Sequence, residues 1–222
     1  MVNRKFLGLL CDLDGTLADS EPLHCQAWLD TLSEEFGIHY DAHWFEQWIG
    51  TSDKVLARHE VEVDGLPITV EELIAKKQKR YHDAVATDGR TFTGVDEALG
   101  RVVAAGFPLA IATNSGRKDA DVMIAAARLE RFTPISVTAS DVEHMKPAPD
   151  IYLLAAERLG LPADQCIAIE DSGPGGEAAR AAGCYLIGLT DKVKGADERM
   201  DDNAGAILRA LELLERVPAP RG

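Results

Sequence analysis

FLGLLCDLDGTL, residues 6–17, is the stretch on which the fold turns. A short apolar run ends in two aspartates, Asp12 and Asp14, and then Gly15 and Thr16. A run of this length bounded by a turn signal forms a buried strand, and Gly-Thr supplies the turn. The expectation is a strand that presents two carboxylates at its C-terminal mouth, where an open parallel sheet gathers its chemistry. Side chains at i and i+2 of a strand share a face. Carboxylates that close repel, so the pair needs a cation or a shared proton. A divalent metal with a phosphorylated substrate meets that need.

Working outward, five apolar runs read as strands: 5–11, 108–112, 134–138, 166–169 and 184–189. A helical pattern precedes each of the last four. Residues 94–105 follow a possible Thr93 cap and stop at Gly106, and 117–129 is apolar at Val122, Ile124, Ala125 and Leu129. Residues 151–159 stop at Gly160 and 176–182 at Gly183, glycine being the residue that accepts the left-handed conformation at a helix end. Strands alternating with helices imply an α/β fold, a doubly wound parallel sheet. A last amphipathic helix is expected over 203–217, with Ile207, Leu208, Leu211 and Leu214 on one face.

Residues 19–87 break the alternation and contain no convincing strand. Residues 22–36 read as a helix with Trp28, Leu32 and Phe36 at i, i+4 spacing and Ser20 as its cap. Thr69-Val70-Glu71-Glu72 is a capping box ahead of a long helix to Val85. A helical module is thus inserted after the first strand. The expected division is a core of 1–18 and 88–222 and an inserted all-helical cap of 19–87.

The 222 residues are 46% hydrophobic and 27% charged, ordinary globular material. The net charge of −14 argues against nucleic acid and anionic membranes as partners. It also means that an anionic substrate must be held by local cations. Cys11, Cys25, Cys166 and Cys184 form no C-x-x-C pair and read as reduced thiols in a cytoplasmic protein. The apolar run after Arg4 and Lys5 is too short for a signal peptide, and no stretch reaches the length of a membrane span.

Four patches follow predicted strands: Asp12-Leu13-Asp14-Gly15-Thr16, Thr113-Asn114-Ser115, Lys146-Pro147 and Glu170-Asp171. Each alone is unremarkable; Asp-Gly is a common turn pair and Thr-Asn-Ser an ordinary loop. Together, at the carboxyl ends of one sheet, they put carboxylates, hydroxyls, backbone N–H groups and an ammonium in one crevice. Carboxylate oxygens suit Mg²⁺, with substrate phosphate completing its shell.

In order and approximate spacing these patches resemble the haloacid dehalogenase-like (HAD) phosphatase and phosphomutase superfamily, over nearly the whole chain. The helical insertion looks like that family's small cap, and the core like its Rossmann-like sheet. The resemblance implies that Asp12 is the nucleophile that becomes an aspartyl-phosphate. Asp14 would protonate the leaving alkoxide and then activate water, and its presence points to phosphoryl transfer over dehalogenation. Thr113 and the Asn114 backbone, with Ser115 beside them, would bind phosphoryl oxygens, and Lys146 would offset charge between Asp12 and the phosphate. Asp12, the Asp14 carbonyl and Asp171 would hold Mg²⁺, with Glu170 acting through a metal-bound water because strand neighbours face opposite ways.

The resemblance also implies substrate and proton-handling roles for His24 and Lys77, as in the sugar-phosphomutase branch. That branch tends to carry an arginine after the Gly50 turn, where this chain has Ser52, Asp53 and Lys54, with Arg58 a turn on. Ser172-Gly-Pro-Gly-Gly-Glu-Ala178 imitates a dinucleotide fingerprint. It follows the fourth strand instead of the first, and Pro174 lacks an N–H, so tight turning behind the metal site is the expected role. Gly50 and the crossings near residues 17–21 and 85–90 are candidate flexible points.

The expected activity is Mg²⁺-dependent hydrolysis of a small phosphorylated metabolite, a sugar phosphate or phosphoglycolate, by a monomer or weak homodimer. A β-phosphoglucomutase-like enzyme and a non-catalytic phosphometabolite sensor are the alternatives.

Overall fold

The computed structural model describes residues 5–49 and 51–216. The expected strands form, four of them trimmed and β4 one residue longer than expected: β1 (Gly8–Cys11), β2 (Leu109–Ala112), β3 (Ser136–Val137), β4 (Cys166–Glu170) and β5 (Tyr185–Gly188). A sixth, β6 (Glu198–Arg199), joins the edge. It is two polar residues long and has no apolar run by which the sequence could announce it. All neighbours pair in parallel, in the order β3-β2-β1-β4-β5-β6. β1 is therefore central, with the chain leaving it to one side first and the other later. That reversal opens a crevice at the carboxyl end of β1.

Strand residues alternate between two apolar layers. Leu9 and Cys11 face one core with Ile111, Ile167 and Ile187, packed by α5 (Val95–Ala104), α6 (Arg117–Ala126) and α9 (Asn203–Leu214). Leu10 faces the other with Ala110, Ala168 and Leu186, packed by α7 (Asp150–Arg158) and α8 (Gly173–Ala181). This is the doubly wound arrangement, buried on both faces as parallel sheets are.

Helix ends depart from expectation in informative ways. Gly94, not Thr93, precedes α5, at φ 81°. α6 stops at Ala126, and a 3₁₀ turn over Leu129–Arg131 follows. α8 starts three residues early because Pro174 fits a first turn, where its missing N–H is not needed. α9 ends at Leu214; the Val217 end expected for it lies outside the described residues, as does the Gly50 turn.

The stretch after β1 is helical: α1 (Glu21–Phe36), α2 (Ala42–Phe45), α3 (Asp53–Glu62) and α4 (Val70–Asp88). The capping box at Thr69 and Glu72 forms with both reciprocal bonds. These helices enclose a core of their own, built from Trp28, Leu32, Phe45, Leu56, Leu66 and Leu73. The two chain crossings between this module and the sheet lie side by side. Ala18 bridges Thr91, Asp19 N–H donates to the Arg90 carbonyl, and Phe92 N–H to that of Leu17. Ser20 does not cap α1 with its side chain; the hydroxyl turns to Asp14 instead. Among the described residues no helix is long and apolar enough to cross a membrane.

Candidate active site

At the carboxyl edge of β1, between the sheet and the helical module, lies a cavity of about 560 Å³. Asp12, Asp14, Thr113, Asn114, Ser115, Lys146 and Asp171 line it, with His24 from the module. Glu170 and Lys77 stand just behind this lining, fully buried. The structure thus brings these ten side chains together, whereas Arg58 stays outside the cavity, exposed and paired with Glu62.

Lys146 organises the floor. Its Nζ donates to Asp12 Oδ1 at 2.7 Å, Glu170 Oε1 at 2.5 Å and the Ala112 carbonyl at 2.7 Å. Asn114 holds the lysine backbone on both sides, accepting from Lys146 N–H and donating to its carbonyl. Burial disfavours the ammonium, but Asp12 and Glu170 outweigh it and keep the lysine charged. Two further residues join this floor: Tyr152, not singled out in the sequence, and Ser172, read there only as the start of a tight turn. Tyr152 donates its hydroxyl to Glu170 Oε1 at 2.7 Å, and Ser172 gives Glu170 Oε2 its hydroxyl at 3.0 Å. Tyr152 lies on the apolar face of α7, where nothing in the sequence marks it as polar machinery. The glycine run after Ser172 serves this carboxylate: a Cβ on Gly175 would collide with it.

Asp12, Glu170 and Asp171 each offer an oxygen within 4.8 Å of the others. The face-alternation argument therefore does not set Glu170 apart, because Asp12 and Asp171 lie past the ends of β1 and β4. Burial and the charge of Glu170 raise Asp12 well above the usual carboxylate range, Lys146 only partly offsetting them. Asp171 is pushed up to about 7 by burial and by Glu170, with a hydrogen bond from Thr16 at 3.1 Å pulling the other way. Two buried carboxylates and a half-buried one against one ammonium leave negative charge uncompensated, and an all-oxygen donor set of that kind fits a hard divalent cation. Gly15, at φ 78°, is required here: a Cβ would strike the Asp171 carboxylate.

Asp14 takes a different direction from Asp12. β1 ends at Cys11, so strand alternation does not govern it; the Gly15 turn aims it toward the module. Its Oδ1 accepts from Ser20 at 2.5 Å, and its Oδ2 from Ser115 at 2.6 Å and Thr113 at 3.3 Å. Burial raises its carboxyl, but His24 and the hydroxyls of Ser115 and Ser20 more than offset this and hold it far below the usual range. Thr113 and Ser115, expected on phosphoryl oxygens, thus spend their hydroxyls on Asp14 in this arrangement.

His24 and Lys77 meet. Lys77 Nζ lies 2.6 Å from His24 Nδ1 and donates to Asp53 Oδ1 and Oδ2 at 2.9 and 2.8 Å. An ammonium has donors only, so His24 Nδ1 accepts and its Nε2 edge faces Asp14 Oδ1 at 3.9 Å. Tyr81 stacks on the imidazole with centroids 3.9 Å apart, and Trp28 Nε1 donates to Asp53 at 3.0 Å. The rest of the basic run is a paired surface: Lys76 and Arg80 bind Glu35, and Lys79 binds Asp83.

Fold and site together define an α/β enzyme whose acidic crevice lies at the switch point of a parallel sheet under a helical roof. The particular family follows from comparison: the model of the haloacid dehalogenase-like hydrolases matches residues 9–189, and the chain belongs to that family. Protein CbbY of Rhodobacter capsulatus is 33% identical, over 91% of this chain and 96% of its own length. Fructose-1-phosphate phosphatase YqaB of Escherichia coli K12 is 31% identical, over 82% and 96%. A crystal structure of a CbbY mutant from Rhodobacter sphaeroides in complex with xylulose-(1,5)bisphosphate superposes with a TM-score of 0.79 at 25% identity, covering 90% of this chain and 95% of that one.

Proposed function

We propose that this chain is a Mg²⁺-dependent phosphatase that hydrolyses a small phosphorylated metabolite of the sugar phosphate or phosphoglycolate type. The observation that carries the reading is Asp12, buried and held at 2.7 Å by Lys146, with Asp14 in the same cavity and Asp171 across from it. The phosphatase named among its relatives supports it.

Asp12 attacks phosphorus: a carboxylate oxygen forms the P–O bond and the bond to the leaving alkoxide breaks, giving an aspartyl-phosphate. Asp14 supplies the proton that the alkoxide takes up. It is ionised at rest and takes that proton from solvent as the phosphate dianion arrives, because the added like charge raises its proton affinity. After the alcohol leaves, Asp14 takes a proton from water, whose oxygen displaces Asp12 and releases phosphate. One hard step becomes two easier ones. Lys146 steadies the charge on Asp12, and Thr113, Asn114 and Ser115 gather about the phosphoryl oxygens once Asp14 moves. Mg²⁺, held by Asp12, Asp171 and the Asp14 carbonyl with Glu170 close by, would supply Lewis-acid stabilisation of the phosphoryl oxygens. Residues 19–87 act as a cap on a core of 1–18 and 88–222 and exclude bulk water on closing. A cytoplasmic setting belongs to the same reading, in keeping with cysteines that form no C-x-x-C pair.

The test is phosphate release from a panel of phosphorylated metabolites with Mg²⁺ and with EDTA. Release that EDTA abolishes is the expected result; no release from any ester defeats the reading. A β-phosphoglucomutase-like activity is the second reading, favoured by the His24–Lys77 pair. It predicts interconversion of β-glucose 1-phosphate and glucose 6-phosphate without free phosphate.

A further inference from the structure

The module side of the cavity points to a substrate narrower than the class named above, and the inference rests on that phosphatase reading. We propose that the cavity accepts the uncharged, hydroxyl-bearing end of a sugar monophosphate and rejects substrates with a second anionic group, both bisphosphates and phosphocarboxylates. Asp53 is the specificity-determining residue.

A second phosphate or a carboxylate needs a cation with protons to give. Lys77 is the buried cation on this side, and it has none left. All three of its N–H donors are engaged, two by the oxygens of Asp53 and one by His24 Nδ1. Its charge is cancelled at contact distance, and the aromatic faces of Trp28 and Tyr81 complete its surroundings, 5.8 and 4.8 Å from Nζ to ring centroid. What the cavity meets at this point is Asp53 itself, whose side chain is 24% exposed, in a place where Lys77 is sealed. Burial opposes its ionisation, but the charge of Lys77 and the hydrogen bonds from Lys77 and Trp28 prevail and keep it a carboxylate. A carboxylate repels a distal anion and accepts hydrogen bonds from hydroxyls.

The neighbouring wall fits the same occupant. Phe45, Trp48, Ile49 and Ile74 line it with apolar and aromatic surface, suited to the C–H faces of a sugar and costly for a desolvated anion. Two ammoniums at the cavity, Lys54 and Lys192, carry no ion pair among the described residues, but both are exposed. Their pull is weakened by water and salt, unlike that of a buried cation.

The experiment measures kcat/KM with Mg²⁺ on fructose 1-phosphate, fructose 1,6-bisphosphate and phosphoglycolate, for the wild type and for Asp53→Asn. The wild type is expected to prefer fructose 1-phosphate over each of the others by at least about tenfold, like-charge contact being the discriminating cost. D53N removes the negative charge and leaves Lys77 uncancelled, so it should shrink that preference about tenfold, mainly through KM of the anionic-ended substrates. Equal or better turnover of the bisphosphate or phosphoglycolate by the wild type overturns the inference, as does a D53N variant with an unchanged ratio. The wild-type order decides alone should D53N fail to fold. A wild-type preference that vanishes in Lys54→Ala or Lys192→Ala would assign selection to the rim and overturn the role of Asp53. Release in the wrong order defeats this inference and leaves the phosphatase reading standing; no Mg²⁺-dependent release from any of the three defeats both.

Discussion

Lys146 gives its three protons to Asp12, Glu170 and the Ala112 carbonyl, so the floor of the crevice is one charge unit and not a set of separate side chains. Removing one partner of a buried ionic group leaves an uncompensated charge at a cost of about 3–5 kcal/mol. Lys146→Ala should therefore lower stability by that order in EDTA, and Mg²⁺ should restore part of it; a melting temperature equal to that of the wild type in EDTA would contradict the arrangement. Asp12→Asn acts oppositely on the two properties. It removes a carboxylate that burial and Glu170 already burden, so the fold should persist by circular dichroism. Turnover should fall below about a thousandth, because the nucleophile is gone. Asp14→Asn should cost about 10²–10⁴ on a sugar phosphate and much less on p-nitrophenyl phosphate, whose leaving group needs little protonation. Equal losses on the two esters would remove Asp14 from the acid role.

At the scale of elements, α3 holds a group that the chemistry does not use. Glu60 is fully buried, and among the described residues neither carboxylate oxygen has a hydrogen-bond partner. Burial first, and the charge of Asp64 second, push it from 4.5 to about 7, with His59 at 3.6 Å partly compensating. A carboxyl raised in the fold binds its proton more tightly there than in the unfolded chain. Its stabilising contribution is complete below about pH 4.5 and is lost as pH rises through 7. Glu60→Gln should thus leave stability unchanged near pH 4.5 and raise it at pH 8 by on the order of 1–2 kcal/mol. Thermal melts at the two pH values check this, and a gain of equal size at both would point to packing instead of charge. Elements were legible wherever burial wrote a pattern. The two-sided burial of β1, β2 and β4 makes continuous apolar runs, and the Thr69–Glu72 box marks the start of α4. β6 was hidden because two polar edge residues carry no such pattern. Ser20 was misassigned because a hydroxyl before a helix serves equally as a cap or as a partner for Asp14, and only the turn at Gly15 decides between them.

Across the whole molecule, the core motifs of the site were legible because chain order along a parallel sheet converts directly into adjacency at its carboxyl edge. The Lys77–Asp53 contact was not, since it joins α3 to α4 across the module and no strand order dictates it. The same distinction separates local from global electrostatics. The chain carries a net charge of −14, yet its substrate is an anion that the crevice must draw in. At about 10 mM ionic strength the Debye length is about 30 Å, so the field of the whole surface reaches an approaching phosphate ester; at about 150 mM it shrinks to about 8 Å and only the crevice remains in range. The screened component is the repulsive one, because the fixed cation of the floor, Lys146, is buried and is screened little. Raising ionic strength between these limits with an inert salt, at saturating Mg²⁺, should therefore lower KM for a sugar monophosphate roughly twofold and leave kcat unchanged. A KM that rises instead would mean that exposed ammoniums such as Lys54 and Lys192 govern capture, and the acidic surface would then have no part in setting the encounter.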